Sequence, residues 1–348
     1  MIAPLLREYD CYMINCFDNY QLLKHNTFGI EARTRLFVEF STEEEIAGFI
    51  ANGFEGDSLV IGGGSNLLFA GDFNGVIFHS DIKSIERIGE DENDVLLRVG
   101  SGVNWDELVA YTVGEGLYGL ENLSLIPGEV GASAVQNVGA YGVEAGDLIE
   151  KVETVALSDA SRNVFTKEEC RFAYRYSIFK DEEKGKHVVT YVTYRLKKNA
   201  PFNLSYGNLK DKVNELGGET LANVRRAVCE IRRAKLPDPA EMGSAGSFFM
   251  NPIVTARKAD ELRAQYPTMP CYPLPDGNVK LSAGWMIEQC GWKETPHKNV
   301  GVYRHQALVV VNLGGAKGCD VIAFAKEVVA SVTEKFGVQL NMEVNVIE

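Results

Sequence analysis

One stretch of the chain reads Val60-Ile61-Gly62-Gly63-Gly64-Ser65-Asn66-Leu67-Leu68, an apolar run that leads directly into three glycines. Consecutive glycines leave backbone N–H groups without side-chain cover, and such a loop can wrap a pyrophosphate. The stretch is not a Rossmann fingerprint, since Leu67 stands where the third glycine belongs, and it lacks the Gly-Lys-Ser/Thr ending of a P-loop. Taken alone, such a run can also be a plain turn.

A second, longer segment of small residues reads Ile126-Pro127-Gly128-Glu129-Val130-Gly131-Ala132-Ser133-Ala134-Val135-Gln136-Asn137-Val138-Gly139-Ala140-Tyr141-Gly142. Small residues let the backbone approach a large flat ligand, while Ser133, Gln136 and Asn137 can supply hydrogen bonds. The alternative is a tightly packed helix start followed by a loop. Two such segments in one half of the chain favour a nucleotide cofactor.

The arrangement of apolar runs predicts two lobes with a boundary near residue 201. The first half carries short strand-like runs and two helix candidates, one after the capping-box spacing of Thr42–Glu45 and one after Asn104. Beyond residue 201 helices are more prominent, and they are predicted at Leu221–Lys235, Ala256–Gln265 and Ala283–Gln289. The chain is predicted to end as a strand, a helix and a strand, at Gln306–Asn312, Cys319–Lys335 and Val338–Ile347. The fold class predicted is α+β, with a mixed lobe at 1–201 and a smaller α/β unit at 202–348.

Three further segments can carry chemistry. If Arg171–Ser177 is a strand, its arginines share one face, and the planar guanidinium of Arg175 can bind a carboxylate there. The alternative is an edge strand whose charged side chains are solvated. Ser247 lies among glycines before two phenylalanines, in what is otherwise an ordinary turn, and the nucleophile elbow of hydrolases is absent. Glu343 opposes the apolar face of the last strand, so it is either exposed or a proton-handling group.

Composition excludes several classes of protein. The 348 residues have a net charge of 35 − 48 = −13, so nucleic acid is not an expected partner, and an anionic ligand would need local Lys and Arg. No apolar run approaches the ~18 residues that suggest a membrane span. Acidic residues near the N-terminus do not fit a secretory signal. Seven cysteines without a Cys-x-x-Cys pair predict reduced thiols in the cytoplasm and no metal site, and the scattered histidines also speak against metal.

In their order and spacing, the motifs closely resemble the UDP-N-acetylenolpyruvoylglucosamine reductase (UDP-N-acetylmuramate dehydrogenase) family. The resemblance runs from Asn26 to Glu343. It is carried by Gly62–Asn66, Ile126–Gly128, Gln136–Gly142, Tyr174–Ser177, Lys235–Pro239, Ala245–Pro252, Ala283–Ile287 and His305–Val309. The segment Leu204–Leu209 looks like the longer subclass, in which a tyrosine loop closes over the nucleotide.

The resemblance implies an FAD-binding lobe of the p-cresol methylhydroxylase type and a smaller substrate-binding domain. In the family reaction NADPH reduces FAD, and flavin N5 passes hydride to the enolpyruvyl double bond of a UDP-sugar in peptidoglycan precursor synthesis, a step of cell wall biogenesis on which cell shape and division depend. The resemblance places Arg175 and Glu343 beside the substrate carboxylate and Ser247 as proton donor, as three sides of one cleft. A monomer is expected.

The resemblance also supplies two sets of binding residues. The expected cofactor contacts are Gly62, Gly63, Gly64, Ser65, Asn66, Leu67, Pro127, Gly128, Gly131, Ser133, Gln136, Asn137, Gly139, Ala140, Tyr141, Gly142 and Arg232. The expected UDP-sugar contacts are Tyr206, Lys235, Asn251, Tyr272, Lys293 and Gln306, of which the two lysines supply local positive charge.

The chain departs from the family pattern at Tyr176, where an acid is frequent, at Met342, where Pro is frequent, and at Asn345, where Arg is frequent. Two other functions stay open on sequence alone. One is a flavin oxidoreductase of the same fold that oxidises an alcohol or amine with oxygen, although the glycine segments offer no convincing His or Cys for covalent flavin attachment. The other is a catalytically silent nucleotide-sugar sensor, which would not need Arg175, Ser247 and Glu343 together.

Overall fold

The computed structural model describes residues 14–294 and 297–348; Cys11 and the start of the predicted first lobe lie outside these ranges. The strands, in chain order, are β1 (Asn15–Gln21), β2 (Arg33–Phe40), β3 (Ser58–Ile61), β4 (Leu67–Phe69), β5 (Phe73–Ser80), β6 (Ile85–Glu90), β7 (Asp94–Gly100), β8 (Gly139–Ala140), β9 (Val143–Glu144), β10 (Ile149–Ala156), β11 (Arg162–Thr166), β12 (His187–Lys197), β13 (Gly243–Ser247), β14 (Ile253–Val254), β15 (Cys271–Pro273), β16 (Val279–Leu281), β17 (Val300–Tyr303), β18 (Gln306–Asn312) and β19 (Asn345–Ile347).

The α-helices are α1 (Glu43–Ala51), α2 (Trp105–Gly114), α3 (Val130–Gln136), α4 (Ala145–Leu148), α5 (Lys167–Cys170), α6 (Leu209–Glu215), α7 (Leu221–Lys235), α8 (Ala256–Gln265), α9 (Ala283–Gln289) and α10 (Gly318–Phe336). Short 3₁₀ helices lie at Leu23–His25, Glu121–Leu123, Ile178–Lys180 and Trp292–Glu294. The mixture of helices and mostly antiparallel strands confirms the predicted α+β class.

The chain divides into two compact units that are discontinuous in sequence. Of the described residues, the first unit holds 14–20, Thr34–Gly62 and Asn74–Cys229, and the second holds Gln21–Arg33, Gly63–Phe73 and 230–348. The division falls at Cys229 rather than near residue 201 because the intervening segment packs on the first unit. Phe202 lies 5.4 Å from Tyr118, ring to ring, and Arg225 forms a bidentate ion pair with Asp106 at 2.6 and 2.9 Å. The assignment of 1–201 to FAD and 202–348 to substrate concerns ligands and stays a prediction.

The first unit contains a sheet of order β1-β2-β5-β3 and a sheet of order β11-β10-β12-β7-β6 within the described residues. Helix α1 begins where expected because the Thr42 hydroxyl accepts the Glu45 N–H at 3.1 Å, although the Glu45 carboxylate accepts from Ser41 rather than from Thr42. Helix α2 begins after Asn104, whose side chain accepts two N–H groups of the first turn. Both helices bury their apolar faces in cores that they share with the sheets.

The second unit is built around β13-β18-β17, β14-β16-β15 and the parallel pair β19-β4. Its core buries Phe248 and Phe249 of the segment after β13, together with Phe28 and the apolar face of α10. Helices α7, α8 and α9 have the predicted bounds, and α10 extends the predicted Cys319–Lys335 by one residue at each end. Among the described residues, none of the helices combines the length and apolarity that a membrane crossing requires.

Three local predictions were wrong. Arg171–Ser177 is not a strand, because Arg171 and Arg175 have left-handed φ values of 46° and 55°, and reciprocal backbone hydrogen bonds between Ala173 and Tyr176 close a tight turn. Gly243–Ser247 is strand β13 rather than an ordinary turn, since it pairs with β18. Within Val338–Ile347 only Asn345–Ile347 is a strand, so the apolar alternation before it reflects burial against the core and not a ladder.

Candidate active site

The two glycine-rich segments meet inside the first unit. A Cβ added to Gly62 would lie 3.1 Å from Glu129 Oε2 and 3.6 Å from the Cβ of Ala132, so Gly62 lies close against the second segment. A Cβ at Gly131 would lie 2.8 Å from the Cβ of Ser101. The segments predicted to hold one cofactor are therefore in direct contact in this unit.

A partly buried network centred on His79 lies at this junction, and the sequence reasoning missed it. His79 Nε2 lies 3.3 Å from Glu129 Oε1, and His79 Nδ1 lies 3.2 Å from Glu39 Oε2. Burial acts to lower the pKa of His79, but the hydrogen bonds and charges of Glu129 and Glu39 outweigh it and raise the pKa above its ordinary value. His79 is separated by 40 and 50 residues from these partners, so no local pattern could have revealed the network.

Helix α3, between the ends of the second segment, directs Ser133 into the interior of the unit. The Ser133 hydroxyl is buried and bonds the Val130 carbonyl and the Tyr194 hydroxyl, each at 2.7 Å. Burial raises the pKa of Tyr194, against the opposing effect of the Ser133 hydrogen bond. The Ser133 hydroxyl, predicted to bond the cofactor, thus already has protein partners.

Asn137 ends α3 in the left-handed conformation, with φ 45°, and joins three parts of the chain. Its Nδ2 donates to Glu144 Oε2 at 2.7 Å and to the Ala173 carbonyl at 2.8 Å, and its Oδ1 accepts the Gly146 N–H at 2.8 Å. Asn137 is 1% exposed, so its side chain links these segments inside the protein.

The end of the second segment is joined to the predicted tyrosine loop. Asn122 Nδ2 donates to the carbonyls of Tyr141 at 3.0 Å and Asn203 at 2.7 Å, and Asn203 Nδ2 donates to the Gly142 carbonyl at 3.0 Å. The rings of Tyr141 and Tyr206 meet edge to face with centroids 5.7 Å apart, and Tyr206 is 57% exposed. A predicted cofactor contact and a predicted substrate contact are therefore neighbours.

Arg175 lies against the same segment. Its Nη2 donates to the Gly139 carbonyl at 2.7 Å, a Cβ at Gly139 would lie 2.9 Å from its Nη1, and its guanidinium carbon is 5.3 Å from the centre of the Tyr174 ring. The aromatic backing that the sequence suggested is present, but it comes from a turn and not from a strand. Lys180, another residue that the sequence reasoning missed, donates to Gln136 and to the Arg175 carbonyl.

In the second unit, Ser247 and Glu343 lie on adjacent segments. Phe248, next to Ser247, donates its N–H to Leu308 and accepts the Glu343 N–H at 2.8 Å. Asn66, from the end of the first glycine loop, donates its Nδ2 to the Glu343 carbonyl at 3.2 Å. Two of the predicted catalytic residues and part of a predicted cofactor loop are thus together in this unit.

The first glycine loop enters the second unit at Gly63, and Gly64 is tightly enclosed there. Gly64 has φ 64°, and a Cβ added to it would lie 1.9 Å from the His25 carbonyl oxygen. Leu67 follows as the first residue of β4 and pairs with Asn345. The Asn345 backbone and side chain both donate to the Asn66 carbonyl, at 3.1 and 3.3 Å, so this departure from the family pattern supports the loop.

The predicted UDP-sugar contacts form one cluster and several separate positions. Asn251 Oδ1 accepts the Ala283 N–H at 3.0 Å, and Gln306 Oε1 lies 3.1 Å from a Cβ added to Gly284, so both side chains meet the start of α9. Lys293 pairs with Glu288 at 2.9 Å, which offsets part of the positive charge expected there. The remaining members are exposed or lie in the last turn of α7, namely Tyr272, Lys235 and, from the cofactor set, Arg232.

Two other departures also have defined places. The Tyr176 hydroxyl donates to Asp181 at 3.3 Å, and burial together with the negative charge of Asp181 raises its pKa. Met342 forms an isolated bridge with Phe249 beside the Ser247 segment.

Leu125, which leads into Ile126-Pro127-Gly128, has φ 58° and donates its N–H to Asp106, so Asp106 fixes the entry of the second segment.

The two small-residue segments suit a dinucleotide cofactor. Gly62 lies close against the second segment and Gly131 close against Ser101, and backbone N–H groups in such small-residue loops are suited to a pyrophosphate. No group of three or more His, Cys, Asp or Glu side chains within residues 14–294 and 297–348 is arranged to hold a metal ion. The residues present therefore fit the FAD that the family resemblance implies.

Two family profiles match the chain. The profile described as FAD binding domain matches residues 34–161, inside the lobe for which such a domain was predicted. The profile described as UDP-N-acetylenolpyruvoylglucosamine reductase, C-terminal domain, matches residues 238–347.

Curated relatives match over nearly the whole chain. A UDP-N-acetylenolpyruvoylglucosamine reductase from Porphyromonas gingivalis is 49% identical over 332 residues, covering 94% of this chain and 98% of the relative. The reductase of Bacteroides fragilis is 50% identical over 329 residues, covering 94% and 99%. The crystal structure of the reductase from Thermus caldophilus is similar in fold, with a TM-score of 0.66, 23% identity, and coverage of 96% of this chain and 99% of that one.

Proposed function

The chain belongs to the UDP-N-acetylenolpyruvoylglucosamine reductase family, and from that premise we propose that it uses NADPH to convert UDP-N-acetylglucosamine enolpyruvate into UDP-N-acetylmuramate. It is an FAD-dependent oxidoreductase of peptidoglycan precursor synthesis. NADPH as the reductant, a cytoplasmic location and a monomeric state are parts of the proposal. The odd number of cysteines without a Cys-x-x-Cys pair supports the location.

The observation that carries the proposal is the placement of Ser247 and Glu343. Their segments are joined through the backbone of Phe248, and Asn66 of the first glycine loop bonds the Glu343 carbonyl. The segments that carry the Ser247 hydroxyl and the Glu343 carboxylate are therefore bonded to each other and to Asn66 within one unit. A protein that only bound a nucleotide sugar would have no need of this combination.

Each of the three residues has a distinct proposed role. Bound FAD supplies the two-electron chemistry between NADPH and the enolpyruvyl double bond. Arg175, with its planar guanidinium, binds the substrate carboxylate and stabilises the negative charge that builds next to it in the transition state. Glu343 orients the same end of the substrate, and the Ser247 hydroxyl donates the proton that completes the reduction. Serine can donate this proton because the carbanion-like species that forms from the substrate after hydride addition is a strong base.

The binding residues are proposed in the same way. Tyr206, Lys235, Asn251, Tyr272, Lys293 and Gln306 would contact the UDP-sugar. The two glycine-rich segments would hold FAD through Gly62, Gly63, Gly64, Ser65, Asn66, Leu67, Pro127, Gly128, Gly131, Ser133, Gln136, Asn137, Gly139, Ala140, Tyr141 and Gly142, with Arg232 as a further contact. The contact of Gly62 with Glu129 and Ala132 supports the assignment of both segments to one ligand.

The experiment that tests the proposal is anaerobic NADPH oxidation by the purified protein, with and without UDP-N-acetylglucosamine enolpyruvate. We expect many turnovers with the sugar nucleotide and at most one equivalent of NADPH consumed without it. The product mass should rise by two hydrogens relative to the substrate. A protein that binds FAD and consumes one equivalent of NADPH, yet does not turn over with this substrate, would contradict the proposal.

A further inference from the structure

We propose that Lys180 is a positioning residue that holds Arg175 and Gln136 in fixed relation to each other; this rests on the proposed function of Arg175. Lys180 Nζ donates to the Arg175 carbonyl at 3.0 Å and to Gln136 Oε1 at 2.9 Å. One ammonium group thereby joins the turn that carries Arg175 to the end of helix α3. Both of its partners are residues expected to contact ligands.

The backbone at Arg175 requires such support. Its φ of 55° lies in the left-handed region, which is strained for a residue with a large side chain, and such strain persists only where the surroundings impose it. The turn itself is closed by the backbone bonds between Ala173 and Tyr176, which leave the Arg175 carbonyl outside the closure. That carbonyl accepts from Lys180, and a hydrogen bond with a charged donor is among the stronger ones in proteins.

Lys180 is itself anchored on the same helix end. It is the last residue of the 3₁₀ helix Ile178–Lys180, which follows Ser177. The buried Ser177 hydroxyl donates to the Val135 carbonyl at 2.7 Å, directly before Gln136. The short helix is therefore tied to α3 at two consecutive residues, and the lysine has a defined origin from which to reach Arg175.

The chemistry of the ammonium group also orients Gln136. Because an ammonium group has only donors, Gln136 must present its amide oxygen to Lys180. The amide nitrogen of Gln136 then points away from Lys180. At the other end of Arg175, Nη2 donates to Gly139, three residues beyond Gln136. Lys180 thus sets Arg175 against the second glycine-rich segment from the backbone side, while the guanidinium contacts the same segment from the side-chain end.

The test compares Lys180→Met with Lys167→Met, which removes a lysine of the same unit that also donates to a backbone carbonyl, that of Asp147 at 2.7 Å. In anaerobic rapid mixing we expect Lys180→Met to slow oxidation of the reduced enzyme by the enolpyruvyl substrate by about 10- to 100-fold. With FAD saturating, its reduction by NADPH should match that of Lys167→Met. Lys180→Arg should restore part of the rate. Equal slowing of both half-reactions in the FAD-saturated variant would overturn the proposal, because it would show a general structural defect.

Two further measurements decide whether Lys180 acts through Arg175. In a double-mutant cycle, Lys180→Met should add less than about 3-fold to the effect of Arg175→Lys, whereas fully multiplicative effects would overturn the proposal. Amide hydrogen exchange at Ala173 and Tyr176 should be faster in Lys180→Met than in Lys167→Met; unchanged exchange would also overturn it. If the enolpyruvyl substrate does not oxidise the reduced wild-type enzyme, the proposed function fails. The hydrogen-exchange result still decides whether Lys180 holds the turn.

Discussion

The surroundings of Arg175 and of Ser247 are positioned by different kinds of interaction. In the first unit, side chains hold the Arg175 turn and the second glycine-rich segment: Asn137, Lys180 and Asn122 together donate to acceptors on six residues. In the second unit, the Ser247 and Glu343 segments are held mainly by backbone bonds, among them Phe248 to Leu308, Glu343 to Phe248 and Met250 to Asn341.

The difference teaches where each region is vulnerable. A region held by side chains should lose its geometry when one polar side chain is removed, since buried partners are left unsatisfied. A region held by backbone bonds should tolerate removal of a catalytic side chain but not a change in backbone conformation. Variants at Gly64, Ser247, Asn137 and His79 test these two expectations.

The largest effect is expected for Gly64→Ala in the second unit. The added Cβ would lie 1.9 Å from the His25 carbonyl oxygen at a residue whose φ is 64°, so the backbone itself must move. We expect a loss of about 4 kcal/mol or more in the free energy of unfolding, or failure to fold. Gly71→Ala is the control, because a Cβ there meets nothing within 4 Å. Equal urea midpoints for the two variants would show that the stability of the protein does not depend on the backbone conformation of this loop.

Ser247→Ala should leave the second unit intact while removing its chemistry. The backbone bonds of the neighbouring Phe248 do not use the Ser247 hydroxyl, so the melting temperature should change little. Loss of a proton donor should slow reoxidation of the enzyme by the enolpyruvyl substrate by about 10²- to 10⁴-fold, with reduction by NADPH unaffected. Rapid mixing measures both steps. If both steps slowed equally, Ser247 would not be the proton donor.

Local signals in the sequence predicted most elements but not the conformations at the site. Helix α2 could be placed because Asn104 caps it and Trp105, Leu108 and Val109 share a buried face. The turn at Arg175 could not, because alternation of polar and aromatic residues gives no sign that a non-glycine residue is left-handed. The last apolar run was misassigned for a related reason, since burial of Val338, Leu340 and Val344 imitates strand alternation.

The candidate site was predictable only as a set of motifs. The contacts of Gly62 with Glu129, and of Asn66 with Glu343, join residues 67 and 277 positions apart, and no periodicity encodes such pairs. Family resemblance named Arg175, Ser247 and Glu343 but gave no reason to notice Lys180 or His79. Those two act on other side chains and backbone rather than through a motif of their own.

Asn137→Ala tests the side-chain-held region. The substitution removes hydrogen bonds to Glu144, Ala173 and Gly146 at a residue that is almost fully buried. We expect a loss of about 2–4 kcal/mol in the free energy of unfolding, because the buried partners keep their desolvation cost. Asn163→Ala removes exposed hydrogen bonds to Ser161 only and should cost less than about 0.5 kcal/mol. Similar urea midpoints for both variants would contradict a stabilising role for the side-chain hydrogen bonds of Asn137.

The smallest effect is expected from the His79 network, and its sign is defined by the direction of the pKa shift. Burial of His79 opposes protonation, but Glu129 and Glu39 prevail and raise its pKa in the folded protein above the ordinary 6.5. The folded state therefore binds the proton more tightly than the unfolded state does. The stability that protonated His79 contributes is fully present below pH 6.5 and is lost as the pH rises through the raised value.

The measurement is the pH dependence of the urea midpoint of wild type against His79→Gln. Wild type should lose stability over this window relative to the variant, which keeps a hydrogen-bonding side chain without the titration. The phenyl ring of Phe37 stacks on His79 with centroids 5.7 Å apart and does not titrate, so the two carboxylates are the relevant charges among the contacts described. Parallel pH profiles would mean that Glu129 is held at Gly62 by packing alone. If the difference between wild type and His79→Gln disappears when Glu129→Gln is present in both, the titration of His79 acts through Glu129, which contacts Gly62 of the first glycine-rich segment. The stability of the side-chain-held region would then depend in part on charge.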